Sequence, residues 1–339
     1  MFPRAFEPIA VTLDGTRSDG WADEPELLPG PPSIPAVAVG LHYGQIAFEG
    51  MRARVLEGRV AAFRPDLHWE RLSRSMSRLA IPPIEWLRFD RALAALLTAI
   101  DPRVADPAEF LYLRPLVVAM DPDWSMAGSE TFRLVLMAGW TREAFDRAPR
   151  VVAFAEAGRR RTWPGGTGDV KVPANYGTAF ATQQRATEVG AHTVLWLDPV
   201  ERWVEEFTSM NALVVDDDGV LHAPAPGSTV LDGVTRRSVL EIAREAGIGV
   251  SESPMRWPAP SERPAAVTGT LLATGTAVGL ALVDEVCELS PEGELVRWTS
   301  EGGESVATLQ DLVRACYWGD ARRDWWFTAD RLGTSRGHG

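Results

Sequence analysis

The fold of this chain is best indicated by one short segment, Lys171-Val172-Pro173-Ala174-Asn175-Tyr176. A strand-like run, Leu195-Trp196-Leu197-Asp198, follows it, and then an acidic segment, Val204-Glu205-Glu206. Together these segments supply an amine, a phenol and a carboxylate in a fixed order. An unprotonated lysine amine can attack an aldehyde, and a carboxylate can keep the nitrogen of an aromatic ring protonated. These are groups that chemistry at an aldehyde and at a ring nitrogen requires.

Each of these residues has a simpler interpretation when it is taken alone. A lysine near Pro173 and Asn175 is usually part of a solvated turn, and Glu205-Glu206 is usually a charged strand end. The balance changes because further motifs occur in an ordered series along the chain. They are Leu41-His42-Tyr43-Gly44-Gln45-Ile46-Ala47-Phe48-Glu49-Gly50-Met51-Arg52-Ala53, Phe63-Arg64-Pro65-Asp66 with Arg71-Leu72, Tyr112-Leu113-Arg114-Pro115-Leu116, Met210-Asn211, Leu231-Asp232-Gly233-Val234-Thr235-Arg236 and Thr274-Gly275-Thr276-Ala277.

With these motifs the sequence resembles the fold type IV pyridoxal 5′-phosphate enzymes, and among them the branched-chain amino acid aminotransferases. The resemblance covers most of residues 20–320, and the joint occurrence of the motifs is highly specific. It implies an α/β fold in the α+β sense, with a small α+β domain and a larger domain that has a barrel-like β core. It also implies transamination between an apolar, branched-chain-like L-amino acid and 2-oxoglutarate, in a homodimer.

The resemblance also assigns roles to individual residues. Lys171 would be the Schiff-base lysine and proton carrier, Glu206 the partner of the pyridine nitrogen, and Tyr176 the hydrogen-bond partner of the ring oxygen. The residues expected at the cofactor phosphate are Arg71, Val234, Thr235 and Thr276. Those expected at the substrate are Thr276 and Ala277 through their backbone N–H groups, Tyr112 through its phenol, and Tyr43, Phe48 and Arg114 around the side chain. Tyr43 and its neighbours would reach the site from the partner subunit.

One of these assignments has a physical basis of its own. The spacing of Val239, Ile242, Ala243 and Ala246 predicts a helix that begins at Val234-Thr235 and ends at Gly247. The unpaired N–H groups at a helix N-terminus attract phosphate.

The sequence departs from the family pattern near three cofactor-contacting segments. Pro173-Ala174 stand where two glycines are usual, Phe207-Thr208-Ser209 replace a glycine-containing segment, and Asp232 stands where proline is common. Proline fixes φ and removes a donor, and alanine adds a methyl group. Every chemical group stays in place, so we interpret the changes as an altered pocket shape. Alternatives are a D-amino acid transaminase, an aminodeoxychorismate-lyase-like enzyme, a specialised biosynthetic enzyme with a reshaped pocket, and a non-catalytic dimeric relative. The physiological substrate is not specified by the sequence.

Composition limits the remaining functional classes. The formal net charge of −12 argues against nucleic-acid binding, so we expect Arg159-Arg160-Arg161 to be a solvated loop. The two cysteines, Cys287 and Cys316, have no CxxC spacing, and we expect neither a disulfide framework nor a metal site. The sequence has no signal-peptide pattern at residues 1–4 and no apolar run near the roughly 18 residues that span a bilayer. We therefore expect a cytoplasmic protein that binds a small amino acid and a 2-oxo acid rather than a membrane.

The 339 residues are enough for two domains, each with its own core. We expect a small N-terminal domain at 1–138, an interdomain loop at 139–150 and a large cofactor-binding domain at 151–339. Periodicity and turn signals further predict a loop at 15–35, helices at 66–79 and 176–190, strands at 112–120, 132–137 and 193–197, and a hairpin of 210–215 with 220–221.

Overall fold

The computed structural model describes residues 5–104, 106, 108–124, 126–142, 151–262, 269–300 and 302–332. The chain forms two compact units. Unit 1 comprises Met1–Glu143, Val170–Pro173 and Trp318–Gly339, and unit 2 comprises Ala144–Asp169 and Ala174–Tyr317. The segment that contains Lys171 therefore belongs to unit 1, although unit 2 surrounds it in sequence. Of the interdomain loop expected at 139–150, residues 139–141 are strand, and 143–150 lie outside the described residues.

The strands of the described chain are β1 Ala5–Thr16, β2 Gly20–Trp21, β3 Glu26–Leu28, β4 Ile46–Phe48, β5 Met51–Leu56, β6 Arg59–Phe63, β7 Phe110–Ala119, β8 Thr131–Thr141, β9 Val152–Glu156, β10 Thr193–Leu197, β11 Val204–Phe207, β12 Asn211–Val215, β13 Leu221–His222, β14 Val250–Ser251, β15 Thr270–Gly275, β16 Gly279–Leu282, β17 Glu285–Leu289, β18 Leu295–Thr299 and β19 Trp326–Thr328. The α-helices are α1 Val39–Tyr43, α2 Pro65–Arg78, α3 Trp86–Ala99, α4 Ala174–Gly177, α5 Phe180–Glu188, α6 Val234–Glu245 and α7 Glu304–Trp318. Short 3-10 helices lie at Pro102–Val104, Pro260–Glu262 and Arg323–Trp325.

Unit 1 is built on an antiparallel sheet with the strand order β19-β6-β5-β7-β8-β1-β2, in which β3 also pairs with β1 and β4 with β7. Helices α2 and α3 turn their apolar faces to its core, and Leu72 and Phe89 are fully buried. Pro65 occupies the first turn of α2, where a missing N–H is tolerated, so the helix expected at 66–79 is confirmed.

The loop expected at 15–35 is wrong in part, because β2 and β3 both pair with β1. Trp21 explains the difference, since its side chain is buried against Gly15 and its indole N–H donates to the Pro82 carbonyl at 3.0 Å. A Pro- and Gly-rich stretch is thus held to the sheet by one large apolar anchor.

Unit 2 has a mixed sheet with the order β14-β13-β12-β11-β10-β9-β17-β18, and β15 joins it by pairing with β12 and β16. Strand β9 runs parallel to both β10 and β17, and most other neighbours are antiparallel. The expected strand at 193–197 and the hairpin of β12 with β13 are confirmed. None of the helices in the described ranges has the length and apolar character needed to cross a membrane.

The single helix expected at 176–190 is instead two helices, α4 and α5. The break falls at Thr178, whose hydroxyl donates to the Arg161 carbonyl at 2.7 Å. A side chain that bonds to a distant carbonyl competes with continuation of the helix, which periodicity alone does not reveal.

Candidate active site

Lys171 is held through its backbone in unit 1. Its N–H donates to the hydroxyl of Ser75 on α2 at 2.9 Å, and its carbonyl accepts the N–H of Phe48 at 3.2 Å. Its Nζ lies 5.0 Å from the centre of the Phe48 ring, within the range of a cation–π contact. Two backbone hydrogen bonds therefore fix the position of this residue in unit 1.

Arg71 is part of a buried network that sequence analysis did not anticipate. It donates to both oxygens of Glu49, through Nε at 2.7 Å and Nη2 at 2.8 Å. His68 lies one turn before Arg71 on α2, and its Nδ1 contacts Glu49 Oε2 at 2.7 Å. The three side chains are at most 5% exposed. The only sequence signal was the placement of His68 and Arg71 on one face of a helix that follows a Phe-Glu-Gly motif.

The charges in this network are fixed by their neighbours. Burial alone would raise the pKa of Glu49, but Arg71 and then His68 hold it well below its ordinary value. Burial lowers the pKa of His68 despite the opposing effect of Glu49. Because an ionised carboxylate can only accept, Nδ1 of the neutral His68 carries the hydrogen.

Three of the residues predicted to contact substrate, Phe48, Tyr112 and Arg114, are linked through Arg114. Tyr112 and Arg114 lie on the same face of β7, and Arg114 Nη2 donates to the Tyr112 hydroxyl at 3.3 Å. The Arg114 guanidinium lies 4.9 Å from the centre of the Phe48 ring, which Lys171 also approaches. A Cβ at Gly50 would collide with the Tyr112 hydroxyl, so this glycine is required for the phenol to lie where it does.

Tyr43, which was also predicted to contact substrate, is hydrogen-bonded elsewhere on unit 1. Its side chain is 47% exposed, and its hydroxyl donates to the Trp124 carbonyl at 2.5 Å. Trp124 is 65% exposed and packs near His42, with ring centres 5.7 Å apart.

Glu206 is a buried carboxylate of unit 2 that contacts three donor groups. It is 4% exposed, on β11, where it pairs with Asn211 across a tight hairpin. Arg161 Nη2 contacts its Oε1 at 2.5 Å. Its Oε2 accepts from Asn211 Nδ2 at 3.0 Å and from the Leu231 N–H at 3.1 Å. Both oxygens are thus held by donors, and the carboxylate has a defined orientation.

The expectation of a solvated Arg159-Arg160-Arg161 loop is wrong for its last two residues. Arg161 is 4% exposed, and the side chain of Arg160 is 9% exposed and paired with Asp198. Composition cannot foresee this, because a charge is buried only when distant segments bring a counter-charge to it.

Glu205 differs from its neighbour in its counter-charge. It is also buried, at 5% exposure, but Arg160 Nη1 lies 3.6 Å from its Oε1. Burial raises the pKa of Glu205 to about 7, and the Thr229 hydrogen bond and the two nearby arginines offset only part of that effect. Two successive glutamates thus face two successive arginines at different distances.

The expected phosphate seat at the start of α6 is a buried helix N-terminus. Val234 and Thr235 are 3% and 4% exposed, and the Thr235 Oγ1 accepts from the Tyr317 hydroxyl at 2.7 Å. Gly233 precedes the helix, and a Cβ there would collide with the Asn211 side chain. Because Asn211 Nδ2 also donates to the Leu231 carbonyl at 2.8 Å, the start of α6 and the Glu206 hairpin are joined.

The remaining predicted residues lie on neighbouring elements of unit 2. Thr276 and Ala277 form the turn between β15 and β16, and β15 pairs with β12 through Thr274 and Asn211. Tyr176 is partly buried on α4. Next to it, Asn175 is 3% exposed and exchanges two 2.7 Å hydrogen bonds with Thr167.

Comparison with known proteins decides the family. The amino-transferase class IV family model matches residues 46–271, more than half of the chain. The chain belongs to the class IV aminotransferases. It is 33% identical over 324 residues to a branched-chain-amino-acid aminotransferase of Mycolicibacterium smegmatis, covering 92% of this chain and 87% of the relative. It is 34% identical over 326 residues to branched-chain-amino-acid aminotransferase 2 of Bacillus subtilis, covering 92% and 86%.

Solved structures agree on the fold of this class IV aminotransferase. A branched-chain aminotransferase from the archaeon Thermoproteus uzoniensis, crystallised with norvaline, has a TM-score of 0.70 at 21% identity, covering 88% of this chain and 94% of that one. The branched-chain amino acid aminotransferase from Escherichia coli has a TM-score of 0.68 at 21% identity, again covering 88% and 94%. The expected family and fold type IV are confirmed.

Class IV aminotransferases use pyridoxal 5′-phosphate, and the donors of this chain suit that group. Unit 1 offers a lysine amine and a buried guanidinium. Unit 2 offers a helix N-terminus beside a buried hydroxyl and a carboxylate with a fixed orientation. The amine suits the aldehyde of the cofactor. The guanidinium and the N–H donors suit its phosphate dianion, and the carboxylate suits its ring nitrogen.

Proposed function

We propose that this aminotransferase moves the amino group of an apolar, branched-chain-like L-amino acid to 2-oxoglutarate, with Lys171 as the residue that bonds to the cofactor aldehyde. One observation carries the proposal: Lys171 is the only lysine in the chain, and the other residues of the Lys and Arg class are all arginine. Arginine replaces lysine in charge and hydrogen bonding, but its guanidinium stays protonated and is no amine nucleophile. The position that keeps a lysine is therefore the one where an amine is needed.

Lys171 would also move the proton. When bound, pyridoxal 5′-phosphate supplies an aldehyde that takes up the amino group and a ring that accepts the electron pair left by the α-proton. Nζ of Lys171 would take that proton as a general base and return it as a general acid. The hydrogen bonds from its backbone to Ser75 and Phe48 support this role, because a proton carrier must be held within reach of its target.

The phosphate would be bound by Arg71, Val234, Thr235 and Thr276. The two N–H groups of Arg71 that point to Glu49 orient its guanidinium. The Thr235 hydroxyl accepts a hydrogen bond from Tyr317, which leaves its own hydrogen to donate to an anion. The N-terminus of α6 adds backbone donors and a favourable dipole.

Glu206 would accept the N–H of the pyridine ring and keep that nitrogen protonated, while Tyr176 would donate to the ring oxygen. The burial of Glu206 and the donors on both its oxygens support this role, since a fixed carboxylate stabilises a ring cation without reorganising.

The substrate would be met by two kinds of groups. The phenol of Tyr112 and the N–H groups of Thr276 and Ala277 would bind the α-carboxylate. Phe48 offers an apolar wall for a branched side chain, and Arg114, 4.9 Å from that ring, offers a cation for the second carboxylate of 2-oxoglutarate. Neighbouring apolar and cationic groups suit an enzyme that must accept both partners in turn.

We also propose a homodimer in which Tyr43 lines the side-chain pocket of the partner subunit. The support is the exposure of Tyr43 and Trp124, at 47% and 65%, which are joined by a hydrogen bond from the Tyr43 hydroxyl to the Trp124 carbonyl. Leu41 and Met126, close to them in sequence, are also exposed, at 51% and 83%. Large apolar side chains gathered on a surface are typical of a protein interface.

The experiment combines trapping and turnover. The purified protein is treated with borohydride after loading with pyridoxal 5′-phosphate, and its near-ultraviolet and visible absorbance is recorded before and after. It is then assayed with leucine, isoleucine, valine, phenylalanine, glutamate and D-alanine, with 2-oxoglutarate as acceptor. We expect a trapped adduct and the highest kcat/KM for a branched aliphatic L-amino acid.

Other outcomes would replace the proposal with a named alternative. A preference for D-alanine would indicate a D-amino acid transaminase. An adduct without turnover of any amino acid would indicate a specialised or lyase-type enzyme. Absence of both adduct and turnover would indicate a non-catalytic relative.

A further inference from the structure

One buried arginine, Arg161, has been assigned no role of its own in the function proposed above. Arg161 contacts Glu206 at 2.5 Å, and its Nη2 also donates to the Thr229 carbonyl at 3.0 Å. The Thr178 hydroxyl holds the carbonyl of Arg161 at 2.7 Å. Within the described residues its Nε has no hydrogen-bond partner. Arg161 is therefore placed to serve Glu206, at the expense of one of its own donors.

The neighbouring Glu205 shows how burial affects the pKa of a glutamate whose counter-charge is farther away. Glu205 and Glu206 are equally buried and adjacent on β11. Glu205 has its arginine at 3.6 Å, and burial raises its pKa to about 7. Glu206 has an arginine at 2.5 Å and two N–H donors on its other oxygen. An ion pair and hydrogen bonds to the charged form both oppose the uptake of a proton.

The affinity of Glu206 for a proton matters because of the pyridine nitrogen of the cofactor. A carboxylate that binds the proton more tightly than the nitrogen would take it, and the ring would lose its capacity to accept electrons. A guanidinium behind the carboxylate weakens its affinity for the proton. The proton then stays on the nitrogen and the carboxylate stays ionised.

We propose that Arg161 is a positioning residue that holds Glu206 ionised and oriented for the ring nitrogen of pyridoxal 5′-phosphate. This inference rests on the proposed function, in which Glu206 is the partner of that nitrogen. Asn211 and the Leu231 N–H fix the second oxygen, and Arg161 supplies the charge.

The test is a double-mutant cycle between Arg161→Gln and Glu206→Gln, with Arg161→Lys as the conservative variant. Arg159→Gln is the control, because Arg159 is an exposed neighbour in the same arginine run. Three properties are measured: the borohydride-trapped adduct, the single-turnover rate with leucine, and the urea midpoint of the cofactor-free protein.

We expect Arg161→Gln to slow the single turnover roughly 10- to 100-fold, the range seen when residues that orient metal ligands are removed. The adduct should still form, and Arg161→Lys should recover most of the rate. The double variant should be no slower than Glu206→Gln, since Arg161 acts through Glu206. In the cofactor-free protein the double variant should have a higher urea midpoint than Arg161→Gln. Arg161→Gln keeps a buried carboxylate at Glu206 without its counter-charge, whereas the double variant has a neutral amide there.

The proposal is overturned if Arg161→Gln turns over at the parent rate, or if the two rate effects multiply in the double variant. It is also overturned if the urea midpoints are additive, which is measurable without cofactor. If Arg161→Gln does not fold, the same comparisons are made with Arg161→Met, which also removes the charge and keeps an unbranched side chain. Failure of the parent itself to form an adduct contradicts the proposed function, whereas failure of the cycle contradicts Arg161 alone.

Discussion

Arg71 donates to both oxygens of Glu49, at 2.7 and 2.8 Å, and both side chains are buried. Removing Arg71 therefore has an effect beyond the loss of the phosphate contact proposed above. We predict that Arg71→Ala destabilises the cofactor-free protein by about 3–5 kcal/mol, because it leaves a buried carboxylate without its counter-charge.

The measurement is urea unfolding without cofactor for Arg71→Ala, Glu49→Gln and the double variant. The double variant should regain part of the stability that Arg71→Ala loses. If the urea midpoint of Arg71→Ala equals that of the parent, the Arg71–Glu49 pair does not contribute to stability. Arg71 would then act only in the proposed binding of the phosphate.

Glu205 gives stability a pH dependence of defined sign. Its folded pKa of about 7 lies above the ordinary value of 4.5, so its contribution is fully present below pH 4.5 and is lost as pH rises through 7. The difference corresponds to about 3 kcal/mol. In the parent, the loss of this contribution lowers the free energy of unfolding between pH 4.5 and 7. We predict that Glu205→Gln does not show this decrease. Parallel pH profiles for parent and variant would show that Glu205 titrates normally.

Gly50 holds a position that only glycine fits beside Tyr112. We predict that Gly50→Ala displaces the phenol, raises KM for the amino acid and destabilises the fold by about 1–3 kcal/mol through overpacking. Gly303→Ala is the matched control, because a Cβ there meets no atom within 4 Å. Unchanged KM in Gly50→Ala would remove Tyr112 from the substrate site.

Pro173-Ala174 tests whether the unusual segment after Lys171 sets specificity. Ala174 is exposed at the start of α4, so its methyl group does not disturb the core. We predict that replacing both residues by glycine keeps cofactor binding, shifts kcat/KM toward ordinary aliphatic amino acids and lowers stability by roughly 1 kcal/mol or more through unfolded-state entropy. Identical substrate profiles over leucine, isoleucine, valine, phenylalanine and glutamate would show that the departure is neutral. An inactive parent beside a double variant that gains activity would show that the natural protein has left transamination.

Local signals were sufficient for much of the fold. Pro65 and the Leu72 and Met76 spacing predicted α2, and the turn residues at 216–219 predicted the hairpin of β12 and β13, because each depends on neighbours in sequence. Similarity in ordered motifs identified the family. These features required no knowledge of which distant segments meet.

Long-range pairing explains what was missed. Arg161 and Glu206 are 45 positions apart, and no local pattern indicates that they are buried together. The same holds for Glu49 and His68, and for Trp21 against Pro82. A charged residue or a large apolar side chain is buried only when the tertiary fold brings a partner to it. Because that partner is distant in sequence, such a residue is predicted from sequence to be solvent-exposed.

The most direct test of the account uses the single lysine. The protein is loaded with pyridoxal 5′-phosphate, reduced with borohydride, digested and analysed by mass spectrometry, beside Lys171→Arg, which keeps the charge without the amine nucleophile. We predict one adduct per chain, on the peptide that contains Lys171, and none in Lys171→Arg. An adduct that persists in Lys171→Arg, or a cofactor-saturated parent that forms none, would contradict it.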